Sequence, residues 1–304
     1  MTKIGFLFPG QGSQYTGMAR DIYENSVEAK EMMTSADDIL GINLSGIMFS
    51  GPEDKLKQTE FTQPAIFLHS IILANIVCKI SPSAAAGHSL GEYSALVSAG
   101  SIEFSEAVKL VRIRGKAMQQ AGIDNPGTMA AVLGLNPNIV KECCEKASAS
   151  GIVQCANFNS PGQIVISGSI EGVKKAMEFC KSAGAKLVKE LVVSVAFHSP
   201  LMHSAQNELK KALDETSFYN AHFPVYTNVS AGPVTEKEQL KNQLFRQLTS
   251  PVLWEESINN MIRDGIDEFV EIGPGKVLQG LVKKINPDIK CFGIDKYSEA
   301  EKYI

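Results

Sequence analysis

The chain has 304 residues, 44% hydrophobic and 20% charged, with a formal net charge of −4. That length is generous for one core and short for two full domains, and the charge leaves no basic footprint for nucleic acid. The opening apolar run is too short for a secretory signal, the longest apolar stretch is broken by His69, Asn75 and Lys79, and the six cysteines form no C-x-x-C pair; a membrane span, a zinc site and a disulfide frame are therefore not expected, and the cytoplasm is the expected location.

"KIGFLF" predicts a buried first strand, followed by the loop "PGQGSQ" and a helix from about Tyr15. Pro64 to Ile80 is apolar on every face, as in a buried helix. "AAAG" (84–87) reads as a short central strand. Helices are expected at Glu92 to Val97 and at about Ser105 to Gln120. Strands alternating with helices argue for an α/β core. The rhythm then changes. "TMAAVLGL" is a strand, and Asn136 and Pro137 open a helix as N-cap and first residue. Its buried stripe is Val140, Cys143, Cys144 and Ala147, which makes the vicinal cysteines core packing rather than a redox or metal pair. "IVQCANF" and "QIVISG" are strands around the turn "NSPG". Ser169 caps a helix with the stripe Val173, Ala176 or Met177, Cys180 and Ala183, and Gly184 stops it. "KLVKELVV" is a final strand. The order β-α-β-β-α-β is the ferredoxin-like unit, so a small domain is expected within a larger α/β domain.

"GHSLG" (87–91) matches G-x-S-x-G after a small-residue strand and before a helix. In that setting the serine is either a turn residue or a nucleophile exposed on a sharp bend, at a helix N-terminus suited to an oxyanion. A nucleophilic Ser89 needs a proton acceptor, most often histidine. His69 lies in the apolar helix and reads as core. His88 adjoins Ser89 on a tight bend and points elsewhere. His203 falls opposite the apolar stripe of its helix, and His222 sits in a polar loop. His198 ends the run "LVVSVAF" just before a helix, where α/β folds place chemistry. No acidic partner stands out for it. The unpaired last carbonyls of the helix in "QLKNQLFRQLTSP", such as that of Gln247, offer another acceptor; an ordinary Asp or Glu remains the alternative.

In "SEAVKLVRIRGKAMQQ" a wheel of ~100° per residue sets Lys109, Arg112 and Lys116 on a solvated face and Arg114 amid Ala107, Leu110, Val111 and Met118. A buried guanidinium needs an anion. The anion is either an internal Asp or Glu or the carboxylate of a ligand. "PGQGSQ" fits no phosphate loop but would bring Gln11 beside Ser89. Asn157 in "NFNSPGQ" is either a cleft residue or a hairpin end, and "EIGPG" reads as a plain turn.

"FPGQGSQ", "TQPAIF", "GHSLGEYSALV", "VRIRGKAMQ", "NSPGQIVISG", "VAFHSPLM", "QLTSPVLW" and "EIGPGKVLQGL" follow in this order from Phe8 to Leu281. Together they resemble the malonyl-CoA:acyl carrier protein transacylases of bacterial fatty acid synthesis, and are similar to the acyltransferase domains of polyketide synthases. The resemblance implies a hydrolase-like α/β domain (1–126 and 194–304) with a parallel sheet, an inserted ferredoxin-like domain (127–193), and a site between them. It implies Ser89 as nucleophile, His198 as base, Gln11 and the N–H of Leu90 as oxyanion hole, Arg114 as binder of the malonyl carboxylate, and the Gln247 carbonyl as the group orienting His198. Phe197 and Asn157 are possible substrate contacts. Malonyl-CoA and an acyl carrier protein are the implied partners, with no metal or cofactor, and the protein is expected to be a monomer. A stand-alone acyltransferase for a polyketide assembly line, a serine thioesterase or esterase, and a non-catalytic carrier-binding module are the alternatives. Lys186, Lys189, Arg112 and Lys116 are either basic contacts for an acidic partner or plain surface charge.

Overall fold

A computed structural model describes residues 2–193 and 195–304. Met1 and Ser194, the first residues of the two expected segments of the large domain, lie outside the described residues. Six strands build a large sheet in the order β10-β9-β1-β2-β7-β8, from β1 (Ile4–Phe8), β2 (Pro82–Gly87), β7 (Val225–Tyr226), β8 (Pro233–Val234), β9 (Glu268–Ile272) and β10 (Lys290–Ile294). All neighbours are parallel except β7 and β8. A second sheet, ordered β4-β5-β3-β6, is antiparallel throughout, from β3 (Gly127–Leu133), β4 (Val153–Ser160), β5 (Gln163–Ser169) and β6 (Leu187–Glu190). Helices Pro137–Ala147 and Ile170–Ser182 complete its βαββαβ order. The fold is α/β, with a parallel-sheet core and a ferredoxin-like small unit.

Composition explains the central strands. A parallel strand covered on both faces reads as an unbroken apolar run, and Gly5 to Phe8 and Ala84 to Gly87 are buried without alternation. In the small unit Val140, Cys143, Cys144 and Ala147 pack with Val173, Ala176 and Cys180 under one face of the sheet. Asn136 caps the first helix by accepting from the N–H of Asn138, and Ser169 caps the second by accepting from that of Gly172. The opposite face of the sheet (Met129, Val165 and, on β4, Ala156) packs on Leu191, Val193 and Phe197. The small unit is stitched to the chain after helix Lys237–Gln247: Phe158 donates its N–H to the Val252 carbonyl (2.9 Å), and Val252 donates to that of Ala156 (2.8 Å).

Four expectations are corrected. The first helix begins at Arg20 rather than Tyr15, because Gly17 (φ 96°) and Ala19 (φ 60°) are left-handed and interrupt it. The buried helix runs Thr59–Ile76 and contains Pro64 rather than starting there. Proline has no N–H to give the carbonyl four residues back, and that Glu60 oxygen is taken by the Arg112 guanidinium. Arg112 is thus not on a solvated face. It is buried, paired with the Glu60 carboxylate at 2.7 Å and laid over the Phe61 ring. Lastly, β6 ends at Glu190, so His198 lies in an irregular segment rather than at a strand end. Among the described residues no helix is long and apolar enough to cross a membrane.

Loops at the C-terminal ends of β1 and β2 touch through backbone. A Cβ on Gly91 would sit 2.0 Å from the Phe8 carbonyl oxygen, and one on Gly10 2.5 Å from that of His88. On Gly280, in the exposed face of helix Val277–Ile285, it would meet nothing within 4 Å. Gly91→Ala is expected to cost about 1–3 kcal/mol or more, and Gly280→Ala to stabilise by about 0.4–1 kcal/mol; urea melts of the two variants check both signs.

Candidate active site

The chain leaves β2 at Gly87, turns through His88 to Leu90, and enters helix Gly91–Ser98. Ser89 takes φ 51°, a left-handed conformation that a non-glycine residue holds only when its surroundings over-determine it. Here they do. The Ser89 N–H donates to Asn228 Oδ1 (2.7 Å), Asn228 Nδ2 donates to the Gly87 carbonyl (2.7 Å), and Gln247 Nε2 donates to the Ser89 carbonyl (3.0 Å). The hydroxyl is left pointing at other side chains.

One of them is His198, whose Nε2 lies 2.8 Å from Ser89 Oγ. Its Nδ1 lies 2.9 Å from the main-chain oxygen of Gln247, the last residue of its helix. A carbonyl can only accept, so Nδ1 carries the proton and Nε2 turns a lone pair to the serine. His198 is itself left-handed (φ 56°), and Gln154 Nε2 on β4 anchors it by donating to its carbonyl at 2.8 Å. Burial, then the positive charge of Arg114, hold the imidazole far below its ordinary range, at about 3. The ring is therefore neutral at physiological pH, with the Nε2 lone pair free.

The second group at the hydroxyl is Arg114, fully buried in helix Phe104–Asp124. Nη2 reaches Ser89 Oγ and Gln247 Oε1, both at 3.0 Å, and Nη1 reaches Gln63 Oε1 at 2.7 Å. The guanidinium lies over the Tyr93 ring, 5.4 Å from its centroid. Among the described residues no carboxylate oxygen comes within 4.0 Å of it. All its partners are neutral, so its charge is hydrogen-bonded without being cancelled.

The Gln11 side chain is exposed and donates to Thr59 Oγ1 at 3.3 Å. Among the described residues neither the main-chain N–H of Gln11 nor that of Leu90 has an acceptor. His88 turns away, its Nε2 2.9 Å from Asn159 Oδ1 and its ring against Trp254. His69 is a core residue whose Nε2 donates to the main-chain oxygen of Asp295 at 2.9 Å. His203 and His222 are exposed. Asn157 is buried on β4 at the bridge to Val252, and Phe197 is half-buried beside His198. Neither makes a hydrogen bond to Ser89, His198 or Arg114 among the described residues. Sequence reasoning missed Gln63, Glu92, Asn228 and the amide of Gln247. A polar residue inside the apolar run after Thr59 was the available signal for Gln63. Asn228 follows a strand of only two residues, too short to recognise.

A serine on a strand-to-helix bend, a neutral imidazole and two free N–H groups are the parts of acyl transfer through serine. Comparison with known proteins agrees. The family model "Acyl transferase domain" matches residues 5–289. The chain belongs to the acyl transferase family. It is 47% identical over 297 residues to the malonyl CoA-acyl carrier protein transacylase of Bacillus subtilis (strain 168), across 97% of this chain and 94% of that one. It superimposes on an acyl carrier protein S-malonyltransferase from Vibrio cholerae with a TM-score of 0.95, at 40% identity, over 100% of both chains. A malonyl-transacylase solved in complex with a type II PKS acyl-carrier protein gives a TM-score of 0.95 at 38% identity, over 99% of each chain.

An ordinary histidine would be protonated about tenfold more at roughly pH 5.5 than at roughly pH 7.5. With its imidazole held at about 3, His198 keeps its lone pair over that whole span. Labelling of Ser89 by a fluorophosphonate is therefore expected to change by less than about twofold between those pH values; a tenfold drop would assign His198 an ordinary pKa.

Proposed function

We propose that this chain moves a malonyl group from malonyl-CoA to the phosphopantetheine thiol of an acyl carrier protein through a malonyl ester of Ser89. The observation that carries this is a single hydroxyl within hydrogen-bond reach of both a neutral imidazole (2.8 Å) and a buried, uncancelled guanidinium (3.0 Å). The first half of the reaction forms the Ser89 Oγ–carbon bond as His198 Nε2 takes the hydroxyl proton. The oxyanion is held by the N–H groups of Gln11 and Leu90; losing one such donor typically costs about 10²–10³ in rate. Collapse breaks the carbon–sulfur bond, and the imidazolium gives its proton to the CoA thiolate. In the second half the carrier's thiol loses its proton to His198 and its sulfur attacks the ester carbon; collapse breaks the Ser89 Oγ–carbon bond, the His198 imidazolium returns the proton to Ser89 Oγ, and the carrier leaves as malonyl thioester. The Gln247 carbonyl keeps the imidazole in the required tautomer without a carboxylate.

Arg114 selects the acyl group. A carboxylate at the far end of malonyl supplies the anion that the protein withholds from the guanidinium, and acetyl supplies none. A charge-assisted hydrogen bond contributes about 1.5–3 kcal/mol, enough for roughly 10–100-fold selection. A thioesterase has no use for this cation. A role with a polyketide carrier protein differs only in the partner, and the solved complex with a type II PKS carrier is what favours keeping it as the second reading. With the malonyl reading go a small domain spanning 127–193 beside the site, substrate contacts from Asn157 of that domain and Phe197 of the large one, and a monomeric cytoplasmic enzyme.

Mass spectrometry after adding malonyl-CoA is expected to find a malonyl adduct on Ser89 that carrier protein then removes. An adduct surviving in Ser89→Ala, or hydrolysis as fast as transfer, would overturn the reading. Arg114→Ala is expected to lose malonyl transfer by roughly 10–100-fold while acetyl transfer falls much less. Equal losses for the two acyl-CoAs would remove Arg114 as the carboxylate clamp.

A further inference from the structure

Glu92 lies three residues beyond Ser89, fully buried in the first turn of helix Gly91–Ser98. Nothing in the chemistry above uses it. Its Oε2 accepts from the Asn228 main-chain N–H (2.8 Å) and from Gln247 Nε2 (3.0 Å), while Oε1 has no partner among the described residues. These two donors belong to the two residues that hold the reacting pair. Asn228 receives the Ser89 N–H and grips the Gly87 carbonyl. Gln247 presents its carbonyl to His198, its amide nitrogen to the Ser89 carbonyl and its amide oxygen to Arg114. They reach the site from different places, one from the loop after β7 and one from the end of helix Lys237–Gln247. Glu92 is where both converge.

A buried carboxylate is costly, and burial pushes this one up to about 7 against the pull of its two donors and Arg114. Its nearest cation is screened from it by one amide: Arg114 donates to Gln247 Oε1, and Gln247 Nε2 donates to Glu92 Oε2. Had the acid been needed as a counter-ion, direct contact would serve better. The spacing instead suits an acceptor of fixed reach.

We propose that Glu92 is a positioning residue: its single oxygen Oε2, by accepting from both Asn228 and Gln247, sets the distance between Ser89 Oγ and His198 Nε2. The inference rests on reading Ser89 and His198 as the reacting pair. What matters is the reach of the acceptor rather than its charge. Glutamine at 92 still presents a carbonyl oxygen at the same length. Aspartate keeps the charge and falls short by one methylene. Leucine keeps the volume and accepts nothing.

The test is the rate of fluorophosphonate labelling of Ser89, which reads the pair without any acyl-CoA, measured per folded molecule on Glu92→Gln, Glu92→Asp and Glu92→Leu. Circular dichroism and thermal melts accompany it. Glu92→Asp and Glu92→Leu are expected to label at least about tenfold more slowly than the parent, and Glu92→Gln to recover to within about threefold. If Glu92→Leu does not fold, the order of the glutamine and aspartate variants decides alone. Aspartate labelling as fast as glutamine, or both at the parent rate, would overturn the proposal; so would glutamine as slow as aspartate, which would make charge the operative property. Malonyl adduct formation on the same samples tests the substrate separately. Normal labelling kinetics with no malonyl adduct in the parent would sink the malonyl reading and leave the role of Glu92 standing.

Discussion

A guanidinium sealed from water, with no acid within 4.0 Å of it among the described residues, is the constraint around which this site is arranged. The desolvation of such a charge costs several kcal/mol, and Arg114 meets it with the oxygens of Gln63, Gln247 and Ser89 and with the face of Tyr93. Neutral acceptors hold a cation in place without neutralising it. The field that remains acts on whatever sits at Ser89. It favours an anionic guest, and it adds to burial in keeping His198 unprotonated. In the proposed reaction, preference for the acyl group and neutrality of the imidazole thus share one source.

The second requirement is precision in a place where the backbone resists it. Both Ser89 and His198 adopt left-handed φ values, each costing on the order of 1–3 kcal/mol. Each is held by hydrogen bonds from elsewhere in the chain: Asn228 and Gln247 for the serine, Gln154 for the histidine. Parallel strands bring the loops after β1, β2 and β7 to one edge, where α/β sheets place ligands. Glycine at 10 and 91 removes the side chains that would keep the first two apart. The small sheet contributes Gln154 and the packing around Phe197, so it helps to fix the segment carrying His198.

Much of this is written locally. The strand "AAAG", the bend "GHSLG", the N-caps Asn136 and Ser169, and the stripe of the two cysteine-bearing helices each depend on neighbours within a turn or two, and a one-dimensional pattern carries that information. The inward direction of Arg114 was legible for the same reason, since a helical wheel needs only its own residues. The wheel failed for Arg112, because what draws that side chain off the solvent is the Glu60 carbonyl freed by Pro64, some fifty residues away.

By itself, the sequence determined the β-α-β-β-α-β order of the small unit, the serine on its bend, a cation facing inward, and, through eight ordered motifs, the family. Only the tertiary structure decided that, among the described residues, no carboxylate oxygen lies within 4.0 Å of the cation, that His198 sits in a loop rather than at a strand end, and that Glu92, Asn228 and Gln63 are joined to the site by hydrogen bonds. These facts depend on contacts between residues up to about 150 positions apart. A hydrogen bond across such a separation leaves no periodicity or spacing in the chain, because its geometry is set by how two sheets and their helices pack.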